Sequence, residues 1–165
     1  MNTKVVATIN LKGGVAKTTT TVGLGQILAG HFGKKVLIID LDPQTNATVM
    51  LIGEEKWLEL DNNGYTLATL FSDAIESNSK FDLSNTLQSS VGGVKEVKTL
   101  DLLPSSLRLI DLQDRLPSMP TRWFQMRSPV KILQRGIKEI LNNYDLILID
   151  CPPSLGNILF HRVEL

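Results

Sequence analysis

Apolar residues gather into short unbroken runs along the chain, separated by stretches with helical spacing or with little periodicity. From Lys4 to Asn10 the residues are mostly β-branched and apolar and lead to the pair Gly13 and Gly14, which predicts a buried strand entering a tight loop. Thr18 to Phe32 then sets Val22, Leu24, Ile27 and Leu28 at helical spacing, with Gly30 and Gly33 as stop signals. Two more apolar runs end in acidic residues: Val36 to Ile39 before Asp40 and Asp42, and Leu146 to Ile149 before Asp150. Runs apolar on both faces suit a parallel sheet covered by helices on each side. Leu100 to Leu103, stopped by Pro104, predicts a shorter strand.

Ser128 and Pro129 predict a helix start, because serine caps free amides and proline loses nothing at the first helical position. The helix that follows would place Val130, Leu133, Ile137, Ile140 and Leu141 on one face. Glu54 to Asn63 and Ser72 to Gly93 are rich in polar and turn-forming residues and read as loops around a short helix near Tyr65 to Phe71. This succession predicts the α/β class: a mostly parallel sheet flanked by helices, with reactive groups at the carboxyl ends of the strands.

Length and composition narrow the picture without changing it. At 165 residues, 42% of them hydrophobic and 21% charged, residues 1–165 are expected to form a single domain with one core. The 17 basic and 17 acidic side chains cancel, so any binding to DNA would need a local patch. Cys151 is the lone cysteine, and the chain opens on a strand-like run in place of a leader, so a cytoplasmic protein is expected. No apolar run approaches the ~20 residues that cross a bilayer, and no membrane partner is expected.

The candidate chemistry begins at Lys12-Gly-Gly-Val-Ala-Lys-Thr-Thr19, between the first strand and the first helix. Glycine lets successive amides turn toward one anion, and a helix N-terminus adds partial positive charge. Lys17 would neutralise the β and γ phosphates of a nucleotide, and the Thr18 hydroxyl would ligate Mg²⁺. Leu11 and Ala16 stand where the standard phosphate-loop pattern has its two glycines. Taken alone, such a loop also reads as a plain turn, and any single aspartate as a cap. Asp40, Asp42 and Asp150 behind two further strands favour a metal–nucleotide site, since Mg²⁺ takes oxygen ligands and keeps several waters. The lone Cys151 reads as a small packed residue, and His31 and His161 lack any ligand cluster. Arg122, Trp123, Phe124 and Arg127 form a small basic and aromatic group, read first as a loop packed on the sheet and second as a contact for nucleic acid or a partner.

The loop resembles that of the deviant Walker ATPases, K-G-G-x-x-K-[ST], in which Lys12 fills the additional lysine position. Asp40-Leu-Asp-Pro-Gln-Thr-Asn46, Leu102-Leu-Pro-Ser-Ser106 and Tyr144 to Gly156, with its Asp150-Cys-Pro-Pro-Ser154, are similar to segments of the ParA-type, or Soj-like, partition ATPases. The resemblance implies a P-loop fold that binds ATP or ADP with Mg²⁺. It implies phosphate contacts from Gly13, Gly14, Val15, Ala16, Lys17, Thr18 and Thr19, with Thr19 at the α phosphate, and Mg²⁺ held by Thr18, Asp40 and Asp150. Asp42 would polarise the attacking water, and Lys12 would reach the phosphates of a partner subunit in an ATP-dependent homodimer. Ala16, where many members have glycine, adds one methyl group near the phosphates.

Family members act as switches that position plasmids, chromosomes or other cargo, answer to a ParB-like stimulator, and associate with the nucleoid through non-specific DNA. They are longer, and after Gly156 continue into further strands of the same sheet and a basic region, whereas this chain reads Asn157 to Leu165. A partial domain lacking the later strands is therefore expected, with the first strand left open on one side and prone to pair with another chain. Two alternatives follow: a non-catalytic remnant that binds nucleotide or a partner, and another deviant Walker branch. A MinD-like membrane switch would use a C-terminal amphipathic helix, and a cluster-bearing iron protein a pair of cysteines per subunit; this chain has neither.

Overall fold

The computed structural model describes residues 3–93, 97–115 and 129–153. Four parallel strands, β1 (Lys4–Thr8), β2 (Val36–Asp40), β3 (Leu100–Leu103) and β4 (Leu146–Asp150), form one sheet in the order β1-β4-β2-β3. The helices are α1 (Lys17–Gly30), α2 (Asn46–Ile52), α3 (Glu54–Asn62), α4 (Leu67–Glu76), α5 (Leu83–Thr86), α6 (Leu109–Arg115) and α7 (Pro129–Ile137), with a 3-10 turn at Leu141–Asn143.

Side chains alternate between the two faces of a strand, so an unbroken apolar run needs a cover on both sides. Leu37, Ile39, Leu103, Ile147 and Ile149 pack one way, against Leu67, Leu70 and Phe71 of α4, Leu109 and Leu112 of α6, and Leu133 and Ile137 of α7. Val36, Ile38, Leu100, Leu102 and Leu148 pack the other way, against Val22 and Ala29 of α1 and Ala47 and Leu51 of α2. All of β2 is buried. In α1 the close approach to the sheet requires a glycine: a Cβ on Gly25 would lie 2.8 Å from Ile38 Cδ1.

Register places the site. Thr8 lies beside Asp150, and Asp150 beside Asp40, so three polar residues form one row across adjacent strands at their carboxyl ends. The loop from β1 to α1 rises directly beyond that row.

Several boundaries differ from the sequence pattern. Glu54–Asn62 is helical rather than a loop: Glu54 and Glu55 occupy its first turn, where negative charge suits the helix dipole, and Trp57 and Leu60 anchor one face three residues apart. Helix α4 continues past Phe71 to Glu76, and the short α5 is capped by Asp82, whose side chain accepts from the Asn85 N–H at 3.1 Å. Helix α7 stops at Ile137, leaving Ile140 in a turn and Leu141 in the 3-10 turn. Strand β1 ends at Thr8, short of Asn10, and among the described residues pairs only with β4, and Val6 is exposed. On the opposite margin, the segment around Gln88 bonds to Leu102 in both directions and covers β3. The expected Ser128 cap, the Arg122, Trp123, Phe124 and Arg127 group, His161, and Ser154 onward lie outside the described residues.

Candidate functional site

The loop between β1 and α1 is exposed throughout and lines one wall of a cleft of about 600 Å³. Gly13 to Thr19 form that wall, and Asp42, Gln44, Asn46, Met50 and Pro153 complete the lining. Gly14 takes a left-handed φ of +70°, a conformation glycine adopts without steric cost. Ala16 at the N-cap of α1 does the same with φ 61°, and Thr45 at the N-cap of α2 with φ 57°. A left-handed backbone is uncommon for alanine and an outlier for β-branched threonine, and such strain tends to collect at ligand sites. Neither helix has a side-chain cap or an acidic residue in its first turn. The opening amides of α1 are therefore left for a ligand at the loop, the arrangement that suits an anion.

Behind the cleft, Thr8 and Thr21 share a hydrogen bond between their hydroxyls, and Thr8 Oγ1 also reaches the Ile149 carbonyl at 3.0 Å. Thr21 Oγ1 also lies 3.0 Å from the Lys17 carbonyl one turn earlier in α1, and its contact with Thr8 ties that turn to the ends of β1 and β4. Asp150 is fully buried, and among the described residues neither of its carboxylate oxygens has a hydrogen-bond partner of good geometry. Burial pushes its carboxyl above the ordinary range. The neighbouring Thr18 hydroxyl opposes this, the Asp42 charge reinforces the rise, and the Lys17 ammonium group opposes it more weakly. An unsatisfied buried carboxylate costs several kcal/mol unless a cation or a donor completes it, so the two bare oxygens fit a divalent ion.

Asp40 is treated differently. Its Oδ1 accepts from the Asp42 N–H at 3.0 Å, and its Oδ2 from the Thr48 N–H at 2.9 Å and the Thr48 hydroxyl at 2.7 Å. Burial still raises its carboxyl to about 7, against those bonds and with help from the Asp150 charge. Asp42 Oδ1 accepts from the Gln44 N–H at 2.9 Å. Among the described residues no group of three or more His, Cys, Asp or Glu surrounds a metal position. Mg²⁺ in nucleotide sites usually takes one or two carboxylates, with water and phosphate supplying the rest.

The structure thus gathers Gly13 to Thr19 and Asp42 around one cleft, with Asp40 and Asp150 in the row beneath. Lys12 is exposed and does not line the cleft; its amide closes a small turn on Asn10 Oδ1 at 2.9 Å. Cys151 is buried, and burial first, then Asp150 and Asp42, push its thiol up to about 12, which keeps it unreactive.

The family described as AAA domain matches residues 3–163. The chain belongs to that family. The AAA-domain relatives include the sporulation initiation inhibitor protein Soj of Bacillus subtilis (strain 168), 39% identical over 153 residues, 93% of this chain and 51% of that protein. The chromosome-partitioning ATPase Soj of Treponema pallidum (strain Nichols) is 34% identical over 153 residues, 93% of this chain and 50% of that protein. Among solved structures, cobyrinic acid a,c-diamide synthase from Mycobacterium smegmatis with bound ADP and magnesium aligns at a TM-score of 0.67 and 30% identity, over 94% of this chain and 54% of that one. A pNOB8 ParA bound to nonspecific DNA aligns at 0.62 and 28%, over 92% and 47%. The ParA/Soj-type resemblance and the P-loop fold are thereby established, and the chain spans about half the length of the curated relatives it matches.

Three residues of this AAA-domain site escape a reading by motif. Thr48, Trp57 and Ser105 are buried polar groups bonded to the Asp40–Asp42 segment or to one another. Thr48 lies in the first turn of α2 and Trp57 sits among charged residues, so only the fold brings them to the site. Ser105 lies inside the Leu102 to Ser106 segment, where its position was legible but its partner was not. A second cleft, of about 450 Å³, is lined by residues of α4 and α6 such as Asp73, Glu76 and Arg115, and shares no residue with the first.

Proposed function

We propose that this chain is the nucleotide-binding part of a ParA-type switch ATPase that hydrolyses ATP with Mg²⁺. The observation that carries the reading is the pair of bare, buried Asp150 oxygens beneath a glycine loop, within electrostatic reach of Lys17 and Thr18. The loop amides from Gly13 to Thr19 would cradle the phosphate chain, and Lys17 would neutralise the charge on its β and γ groups. Thr18 and Asp150 would hold Mg²⁺, with Asp40, whose oxygens already take three protein donors, contributing through water. The ion supplies charge neutralisation at the phosphates. Asp42, at the cleft wall with its backbone fixed, would orient the attacking water.

Lys12 is exposed beside the cleft, a placement suited to reaching the phosphates of a second subunit. An ATP-dependent homodimer, a ParB-like stimulator, non-specific DNA and a role in cargo partitioning belong to the same proposal. The chain's relatives of ParA and Soj type support them, and each attaches to a protein about twice this length.

Phosphate release tests the reading. Wild type with MgATP is expected to turn over, Lys17→Ala to lose turnover and binding, and Asp42→Ala to keep binding while losing turnover. Turnover equal in wild type and Lys17→Ala would overturn it. Binding without any Lys17-dependent release would leave a nucleotide-binding module in place of an ATPase.

A further inference from the structure

We propose that Ser105 is a positioning residue for Asp42, clamping the loop that carries it through a closed ring of buried hydrogen bonds; the proposal rests on the ATPase reading. The ring can be followed atom by atom. Ser105 Oγ donates to the Asp42 carbonyl at 2.7 Å, and the Ser105 N–H donates to Thr48 Oγ1 at 3.0 Å. That hydroxyl donates to Asp40 Oδ2 at 2.7 Å, and Asp40 Oδ1 accepts from the Asp42 N–H at 3.0 Å, which returns the path to its start. Ser105, Thr48 and Asp40 have no exposed surface at all, and Asp42 is 6% exposed.

Each hydroxyl in the ring has a fixed direction. A serine or threonine has one proton to give. Thr48 gives its proton to the carboxylate and accepts from the amide; Ser105 gives its proton to the carbonyl. The Asp42 backbone is thereby held at its N–H by the Asp40 carboxylate at the end of β2, which Thr48 of α2 fixes, and at its C=O by Ser105 from the segment after β3, alongside the Thr45 N–H at 2.9 Å. Its Oδ1 is tied to the Gln44 amide, and Oδ2 has no donor among the described residues, in a side chain that lines the cleft. Ser105 is fixed in turn from α3, where Trp57 Nε1 donates to its carbonyl at 3.2 Å. A buried serine that only needed satisfying could bond within its own turn. This one reaches from the end of β3 to residue 42 beyond the end of the neighbouring β2, and the position of that residue's side chain decides where a water could be held.

Loss of the Ser105 hydroxyl should therefore loosen the Asp42 segment without touching the phosphate wall. In the nucleotide-free chain, hydrogen exchange is expected to speed up at the Gln44 and Thr45 amides in Ser105→Ala, while the Leu102 amide on Gln88 stays as protected as in wild type. With MgATP, kcat is expected to fall on the order of tenfold, the scale of a small misplacement, while KM and ADP affinity stay within about twofold. Ser105→Cys, with similar bulk and a poorer donor, is the second variant should the alanine form not fold, and is expected to shift both readouts in the same direction. Unchanged exchange at Gln44 and Thr45, a kcat within about twofold of wild type, or kcat and affinity falling together would each overturn the proposal. If wild type itself shows no Lys17-dependent release, the ATPase reading fails, and the catalytic part of this proposal with it; the exchange measurement then decides separately whether Ser105 holds the segment.

Discussion

Ala16 carries backbone strain at the site, and Asp150 an unmatched charge. A left-handed φ costs an L-residue roughly 1–2 kcal/mol, part of which glycine returns by enlarging the unfolded ensemble. Ala16→Gly is accordingly expected to leave urea stability unchanged or raise it by up to about 1 kcal/mol, with nucleotide affinity retained; a loss of stability would show that the methyl group packs usefully. Asp40 and Asp150 both bind protons more tightly folded than unfolded. Their contribution to stability is thus fully present below the ordinary carboxylate range and is lost as pH rises through about 7 for Asp40. The nucleotide-free chain should be less stable at pH 8 than at pH 5, and Asp150→Asn should flatten that slope in chemical denaturation. A slope identical in the two proteins would contradict this account of Asp150.

At the scale of elements, the strands were readable because both faces of β2 and β4 are covered, which makes their sequences continuously apolar. Helix α3 was not: its two anchors, Trp57 and Leu60, are too few to give a visible period among Glu54, Glu55, Lys56 and Glu59. The same limit hid Thr48 and Ser105, because a buried polar residue shows its meaning only through a partner distant in sequence. The loop and its aspartates were legible because backbone chemistry fixes residue types at fixed spacing, whereas the unequal treatment of Asp40 and Asp150 needed the register of β2 and β4. The contact between α1 and the sheet offers a test in packing terms. Gly25→Ala gains about 1 kcal/mol of helix propensity but drives a Cβ to 2.8 Å from Ile38 Cδ1, and overpacking costs about 1–3 kcal/mol. A lower melting temperature is expected, with partial recovery in the Gly25→Ala, Ile38→Val pair, which removes the crowding methyl. Equal loss in the single and double variants would argue against this contact.

At the scale of the whole molecule, among the described residues one margin of the sheet is covered and the other has no partner strand. The Gln88 segment closes β3, while the outer edge of β1, beside the exposed Val6, has no partner strand among the described residues, an arrangement that invites pairing with another strand. The 165-residue chain is expected to associate with rising concentration in the absence of nucleotide, and Val6→Lys to suppress that association. A monomer by sedimentation at high concentration would contradict this.

The central claim is that a nucleotide's phosphates and their metal ion complete a site whose buried carboxylate stands bare. Calorimetric titration of ADP with and without Mg²⁺, in wild type and in Asp150→Asn, tests it most directly. One site per chain is predicted, tightened by Mg²⁺ in wild type and indifferent to Mg²⁺ in Asp150→Asn. Absence of binding in the folded wild-type chain, or the same Mg²⁺ dependence in both proteins, would contradict the claim.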